Sequence, residues 1–395
     1  MRIGFVIPWF AMDIPGGAEA ELRGLALHLH ASGMDLEILT TCVKEFGSRW
    51  NRNYYPEGLS VENGIPIRRF CVRRRDTLAF NRVNYKLLTG QIPLSDEEEK
   101  IFIRESVNSP RLYRYMREHQ AEYDLFVFIP YMFGTTWYGM GICPHKSVLI
   151  PCLHEESYAH LRVFEKQFSR AAGMLFLSKP EANLAASLYD LSRVDARVLG
   201  AGVDDVTDVQ PDRFRKKYRI DSPFLLYAGR KDSGKNVDVL IRYFSEYRKR
   251  HETAFKLVLI GGGRILIPHE DRRAILDLGF VPVQDKHDAC GAAHLLCQPS
   301  SHESFSIVIM ESWLASRPVL VSGHCEVTKN FVQESNGGLY FENYHEFEGA
   351  LEYMESHPEE ASRMGGNGRA YVREHFMWDK IVDAYTSCFE ELIRR

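Results

Sequence analysis

Short apolar runs alternate with amphipathic stretches along the whole chain, and the alternation predicts its elements. Arg2-Ile3-Gly4-Phe5-Val6-Ile7-Pro8 is apolar on both faces of an extended chain, the mark of a fully buried parallel strand. A loop carrying Gly16-Gly17-Ala18-Glu19 follows. Leu22, Leu25, Ala26 and Leu29 then repeat at helical spacing, and 36–40 is a second strand. Strand, glycine loop, helix and strand make one βαβ unit.

The same register returns at 124–129, at 147–152 and at 175–178, with a helix opening at Pro180-Glu181. The run at 147–152 leads into His154-Glu155-Glu156, where an open α/β sheet presents ligand-binding groups. Residues 76–110 read as polar and irregular, an insertion or helical arm near the cleft, with a helix start at Ser95-Asp96-Glu97-Glu98. The pattern breaks around Gly200–Asp204, and a polar stretch to Ser222 reads as a linker. A second series then begins: strand 224–229, loop 230–236, helix 237–249, strand 256–260, loop Gly261-Gly262-Gly263, strand-like Gly279-Phe280-Val281, and strands 295–298 and 318–321. The tail from Phe376 to Leu392 is an amphipathic helix. This predicts an α/β chain of two domains, 1–203 and 204–375, with a ligand cleft between them and 376–395 returning to the first.

Composition narrows the class. A chain of 395 residues suits two cores better than one, and 45% apolar with 26% charged residues is ordinary for a globular protein. A net charge of −4 argues against a nucleic-acid binder. Basic charge concentrates at Arg68, Arg69, Arg73, Arg74 and Arg75, which reads either as a solvated strand edge or as a contact for an acidic acceptor or anionic lipid heads. The eight cysteines form no Cys-x-x-Cys, so no zinc knuckle is written here, and they read as reduced core residues of a cytoplasmic protein. The apolar N-terminus is interrupted by Pro8 and closed by Gly16-Gly17, which reads as a strand and not a signal peptide. No apolar run is long enough to cross a membrane.

The candidate chemistry centres on Pro299-Ser300-Ser301-His302-Glu303-Ser304-Phe305-Ser306, followed by Ile307, Val308, Met310 and Glu311. The spacing predicts a loop ending at Glu303 and a helix from near Phe305 with Ser304 as its N-cap. Such a helix start turns free N–H groups and a positive dipole end toward an anion. Glu303 and Glu311 then suit opposite ends of a sugar nucleotide, or are two solvated acids on a surface helix. Arg230 and Lys235, directly after a buried strand, suit a diphosphate, or are solvated bases in a polar loop. Gly16-Gly17 is either a tight turn or a close backbone approach to a ligand, and His154 either a satisfied buried histidine or a site residue. The dinucleotide fingerprint Gly-x-Gly-x-x-Gly is absent. So is any Asp-x-Asp, so the expected reaction uses no metal: Arg230, Lys235 and the helix start stabilise a departing nucleotide diphosphate.

Together, Gly229-Arg230-x4-Lys235, the Gly261 loop and Glu303-x7-Glu311 resemble the retaining glycosyltransferases of family 4, "glycosyl transferases group 1". Gly16-Gly17-Ala18-Glu19, Leu153-His154-Glu155 and the run from Arg363 to Trp378 add to the likeness, which is strongest over 224–378. The resemblance implies the GT-B fold of two Rossmann-like domains and transfer of a hexose from a nucleotide sugar, UDP favoured over GDP, to a glycan or lipid-linked hydroxyl in surface polysaccharide or glycoconjugate synthesis. It implies that Arg230 and Lys235 hold the diphosphate, with Gly229, Gly261, Gly262 and Val281 around the nucleotide. Glu303 would face the sugar hydroxyls, the backbone of Ser304, Phe305, Ser306 and Ile307 the sugar and phosphate, and Glu311 the ribose. Gly16 and Gly17 would approach the phosphates, and His154 the reacting sugar. No cofactor and no nucleic acid are expected, the location is the cytoplasm or the inner membrane face, and the oligomeric state is left open. Ser306 departs from the glycine common in the family, and so does Asn236, where little consequence is expected. A nucleotide-sugar epimerase, a phosphorylase, and an inactive nucleotide-sugar-binding subunit are the alternatives.

Overall fold

Strands β1 (Arg2–Val6), β2 (Asp35–Thr41), β3 (Gly58–Glu62), β4 (Ile65–Phe70), β5 (Leu125–Phe128), β6 (Ser147–Leu149), β7 (Gly173–Phe176) and β8 (Asp195–Val198) build one sheet in the order β3-β4-β2-β1-β5-β6-β7-β8. The computed structural model describes residues 1–14, 16–231 and 233–395. Every neighbouring pair is parallel except the β3–β4 hairpin. The central strands are apolar on both faces because helices cover both. The chain divides into two units, Met1–Gly202 with Trp378–Arg395, and Val203–Met377.

Two segments of the first unit differ from the sequence reading. β4 escapes the hydrophobic pattern because it carries Pro66, Arg68 and Arg69. Residues 76–110 are not irregular: Thr77–Leu88 and Asp96–Glu105 are helices that bury Phe80, Val83, Leu87, Phe102 and Ile103. Ser95 caps the second one, with reciprocal bonds of 3.3 Å and 3.0 Å to and from Glu98. The tail helix runs Trp378–Arg394 and packs within this unit. Phe389 meets Phe5 edge-on at 6.5 Å, and Trp378 stacks on His28 at 4.0 Å.

The second unit is a six-stranded parallel sheet of β9 (Phe224–Ala228), β10 (Lys256–Ile260), β11 (Ile275–Gly279), β12 (Leu295–Gln298), β13 (Val319–Ser322) and β14 (Gly338–Phe341), ordered β11-β10-β9-β12-β13-β14. The stretch read as a linker holds a helix of this unit, Pro211–Tyr218, tied in by Arg213 to buried Asp288. The strand read at 279–281 lies earlier, as β11. Gly279 at φ +66 turns the chain out of the sheet, leaving Phe280 exposed and Val281 in the loop beyond. Phe376 belongs here rather than to the tail helix, packed against Phe305 and Phe331 at 5.0 Å and 5.7 Å.

Candidate functional site

Parallel pairing brings the carboxyl ends of β9, β10, β11 and β12 to one edge of the second sheet, and the loops that leave them are laced by backbone bonds. Gly229 N–H donates to Ile260 at 3.0 Å, Gly261 N–H to Gly279 at 2.8 Å, and Lys231 N–H to Gly262 at 2.7 Å. The close approach requires glycine: a Cβ on Gly261, at φ +119, would stand 2.0 Å from the carbonyl oxygen of Gly229. Arg230 follows on the exposed side of this lattice, its carbonyl accepting from the Tyr227 hydroxyl at 2.6 Å. Lys231, which sequence reasoning passed over, is buried and ion-paired with Asp277. Asp232, part of the loop read at 230–236, lies outside the described residues.

Lys235 and Glu303 come together as expected of one site. The Lys235 ammonium donates to Glu303 Oε1 at 2.7 Å and stands 3.4 Å from the carbonyl oxygen of His302. Asn236 has a larger role than the sequence suggested. At φ 52 it takes the left-handed conformation that glycine otherwise favours. Its side-chain amide donates to Pro299 O and Ser301 Oγ, both at 3.2 Å, tying the two loops together.

The helix behind Glu303 starts later than the spacing predicted. It spans Ile307–Leu314, and Ser306 rather than Ser304 holds the N-cap position. Phe305 decides this: its ring is buried against Phe331 and Phe376 at 5.3 Å and 5.0 Å, so the chain turns at Ser306, φ 87. Among the described residues Ser306 makes no capping bond, and its buried hydroxyl has no hydrogen-bond partner. Glu311 lies inside the helix, buried, with Lys286 Nζ at 2.5 Å and His287 Nε2 at 3.7 Å from its Oε1. Burial pushes its carboxyl up, but the His287 hydrogen bond and Lys286 charge outweigh burial and hold it below its ordinary value. Lys286 and His287 carry no motif and were missed.

Gly16, Gly17 and His154 lie in the first unit. Gly16, at φ 147, precedes the helix Gly17–Ala31, and no described residue stands within 4 Å of where a Gly17 side chain would begin. His154 follows β6 with its Nδ1 3.6 Å from Glu156. Beneath it, buried Glu181 accepts from Leu153 N–H at 2.7 Å and Leu177 N–H at 2.6 Å. Burial pushes the Glu181 carboxyl up to about 7, and burial with the Glu181 charge pushes Glu21 up to about 8.

The arginine run is largely neutralised inside this unit. Arg68 pairs with Glu37 at 2.7 Å, Arg69 with Glu62 at 2.9 Å, and Arg73 with Glu105 at 3.0 Å. Among the described residues no group of acidic, histidine and cysteine side chains is arranged to hold a metal ion. Nor is any helix of the described residues long and apolar enough to cross a membrane.

With this geometry in view, known proteins fall into place beside the chain. Residues 209–371 match the family model described as Glycosyl transferases group 1. A D-inositol 3-phosphate glycosyltransferase of Gordonia bronchialis is 27% identical over 256 residues, 59% of this chain and 56% of that protein. The chain thus spans about half the length of the curated relatives it matches. Among solved structures, an α,α-trehalose-phosphate synthase of Burkholderia xenovorans in complex with glucose-6-phosphate superposes with TM-score 0.74 at 12% identity, covering 99% of this chain and 100% of that one. Anabaena HepE in complex with UDP-glucose superposes with TM-score 0.69 at 15% identity, covering 99% and 100%. The fold is therefore GT-B, with two parallel-sheet α/β domains, and the second unit carries a Glycosyl transferases group 1 segment.

Proposed function

We propose that this chain is a retaining glycosyltransferase that moves a hexose from a nucleotide diphosphate sugar, UDP-linked in preference to GDP-linked, to a hydroxyl of a glycan or lipid-linked acceptor. The carrying observation is the joint placement of Lys235, Glu303 and Glu311 around the start of the helix Ile307–Leu314. Lys235 and Glu303 pair with each other. A diphosphate takes over the lysine and releases Glu303 to the sugar hydroxyls, while Glu311, held ionised, receives the ribose hydroxyls. Arg230 adds a bidentate cation and the first helical amides add donors. The C1–O bond to phosphate breaks and the acceptor oxygen joins C1 on the same face. The acceptor proton passes to the leaving phosphate oxygen. Positive charge for that phosphate comes from Arg230, Lys235 and the helix start, so the reading expects turnover in EDTA.

UDP-glucose in HepE and glucose-6-phosphate in the trehalose-phosphate synthase support a sugar-nucleotide donor and a sugar acceptor. A place in surface polysaccharide or glycoconjugate synthesis, in the cytoplasm or on the inner membrane face, belongs to the same reading.

The test is a thermal-shift screen against UDP-, GDP-, ADP- and dTDP-sugars, followed by product analysis with the donor that binds. A donor at 100 times its Kd stabilises by about 2.7 kcal/mol. Silence toward all four, or release of an epimer in place of transfer, defeats the reading.

A further inference from the structure

The helix Val283–Ala292, between β11 and β12, sets two basic side chains against one acid of the next helix. Lys286 Nζ stands 2.5 Å and His287 Nε2 3.7 Å from Glu311, and both meet the same oxygen, Oε1. Among the described residues Oε2 takes no partner, yet it is not shut off from solvent. Lys286 is not drawn off by the acid beside it in the chain: Asp285 is held by Lys217 at 2.5 Å and by the Tyr218 hydroxyl at 2.6 Å. Among the described residues the Lys286 ammonium donates to Glu311 and to nothing else.

This arrangement does more than balance charge. The Glu311 side chain is 10% accessible, and a carboxylate so enclosed costs free energy unless it is paired. A single cation anywhere beside it meets that need. Here two donors converge on one oxygen and leave the other bare. The terminal torsion of a glutamate is broad, so a carboxyl group without such a hold turns readily about its own axis. Pinning Oε1 fixes the plane of the group and with it the direction in which Oε2 accepts. An ionised carboxylate only accepts, so what it reads on a partner is a hydroxyl or an N–H, and a partner lacking that donor leaves it unpaired.

We propose that Lys286 sets how the site reads ribose: by holding Glu311 Oε1 it aims Oε2 at a ribose hydroxyl, and so makes the protein select ribonucleotide over deoxyribonucleotide donors. This rests on the donor reading above and adds to it the residue that determines sugar selection on the nucleotide side. Lys286 acts through Glu311 and touches no reacting atom, so it is a positioning residue. His287, on the same oxygen, is its second support.

The test is calorimetric titration of the full chain with UDP and GDP, each beside its 2′-deoxy and 3′-deoxy forms. Wild type is expected to bind the ribonucleotide more tightly than at least one of its deoxy forms by about tenfold or more, the worth of a hydrogen bond to a charged group. Lys286→Met, which keeps the length and loses the charge, is expected to bring that ratio close to one. Lys286→Arg, which restores a cation, is expected to recover part of it. Lys217→Met breaks the neighbouring ion pair to the same helix and is expected to keep the full ratio, so a loss of helix stability alone does not move the readout. Melting curves identify any variant that fails to fold, and if Lys286→Met does, Lys286→Gln takes its place. A full ratio in the folded neutral variant, or an equal loss in Lys217→Met, overturns the proposal and leaves the donor reading standing. Nucleotide binding with no ribose preference in wild type overturns both the proposal and the ribose role of Glu311. Absence of binding by either nucleotide defeats the donor reading and the proposal with it.

Discussion

The Lys235 ammonium sits 2.7 Å from Glu303 Oε1, joining the loop after β9 to the loop after β12. The pair is partly exposed, with side-chain accessibilities of 22% and 12%, so its removal costs the fold little. Lys235→Ala and Glu303→Ala are each expected to lower kcat by about 100-fold or more, as lost electrostatic contacts to a transition state do. Arg230→Ala is expected to follow them. Steady-state kinetics beside circular dichroism checks this, and wild-type rates in a folded variant reject the role given to that residue.

Two of the glycines expected near the donor separate cleanly. A methyl group on Gly261 would drive into the Gly229 carbonyl at 2.0 Å, whereas one on Gly17 meets nothing within 4 Å among the described residues. Gly261→Ala is expected to destabilise the protein by about 2 kcal/mol or more in urea unfolding. Gly17→Ala, in a helical first turn, is expected to leave stability unchanged or raise it by about 0.5 kcal/mol. If Gly17 approaches the donor, its cost appears instead as a higher KM. A stable Gly261→Ala would show that the loop lattice tolerates displacement.

How much of this was legible in the sequence depends on where each residue spends its chemistry. β1 and β9 declare themselves because both faces of each are buried, and Arg230, Lys235, Glu303 and Glu311 because they flank apolar runs at strand ends and a helix start. β4 showed only as a solvated strand edge because Arg68 and Arg69 look solvated, while their charges are absorbed by Glu37 and Glu62. No local pattern announces a partner contributed by another strand. The helix start slipped to Ile307 because Phe305 found an aromatic pocket made of Phe331 and Phe376, a tertiary decision that overrides cap preference. Lys286 and His287 meet Glu311 from a different helix, so no spacing rule could reveal them.

Glu21 and Glu181 set a pH dependence of stability. Their carboxyls are held up at about 8 and about 7, above the ordinary 4.5, first by burial. Between pH 4.5 and 8 the folded protein therefore keeps protons that the unfolded chain has released, and stability falls as pH rises through that window. Glu21→Gln removes the larger shift. It is expected to gain on wild type by on the order of a few kcal/mol at pH 8, and by little at pH 5. Urea unfolding at three pH values checks this, and parallel curves for the two proteins would rule it out.

Ser306 offers a prediction in which stability and specificity move apart. It holds φ 87 with a buried hydroxyl that finds no bond among the described residues, two costs that a glycine would not carry. Ser306→Gly is expected to raise stability by about 1 kcal/mol, since each cost is individually of that order. If the helix start behind it receives the sugar as proposed, a residue kept at such a cost there would act on the donor: its hydroxyl would either bond one sugar hydroxyl or narrow the room for another. The glycine variant is then expected to accept a wider set of UDP-hexoses, with kcat/KM for the preferred donor reduced about tenfold, the worth of one hydrogen bond. Competition assays with paired hexose epimers read this directly. A stabilised variant with an unaltered donor profile would mean that Ser306 is tolerated strain and that selection among sugars is made by other residues.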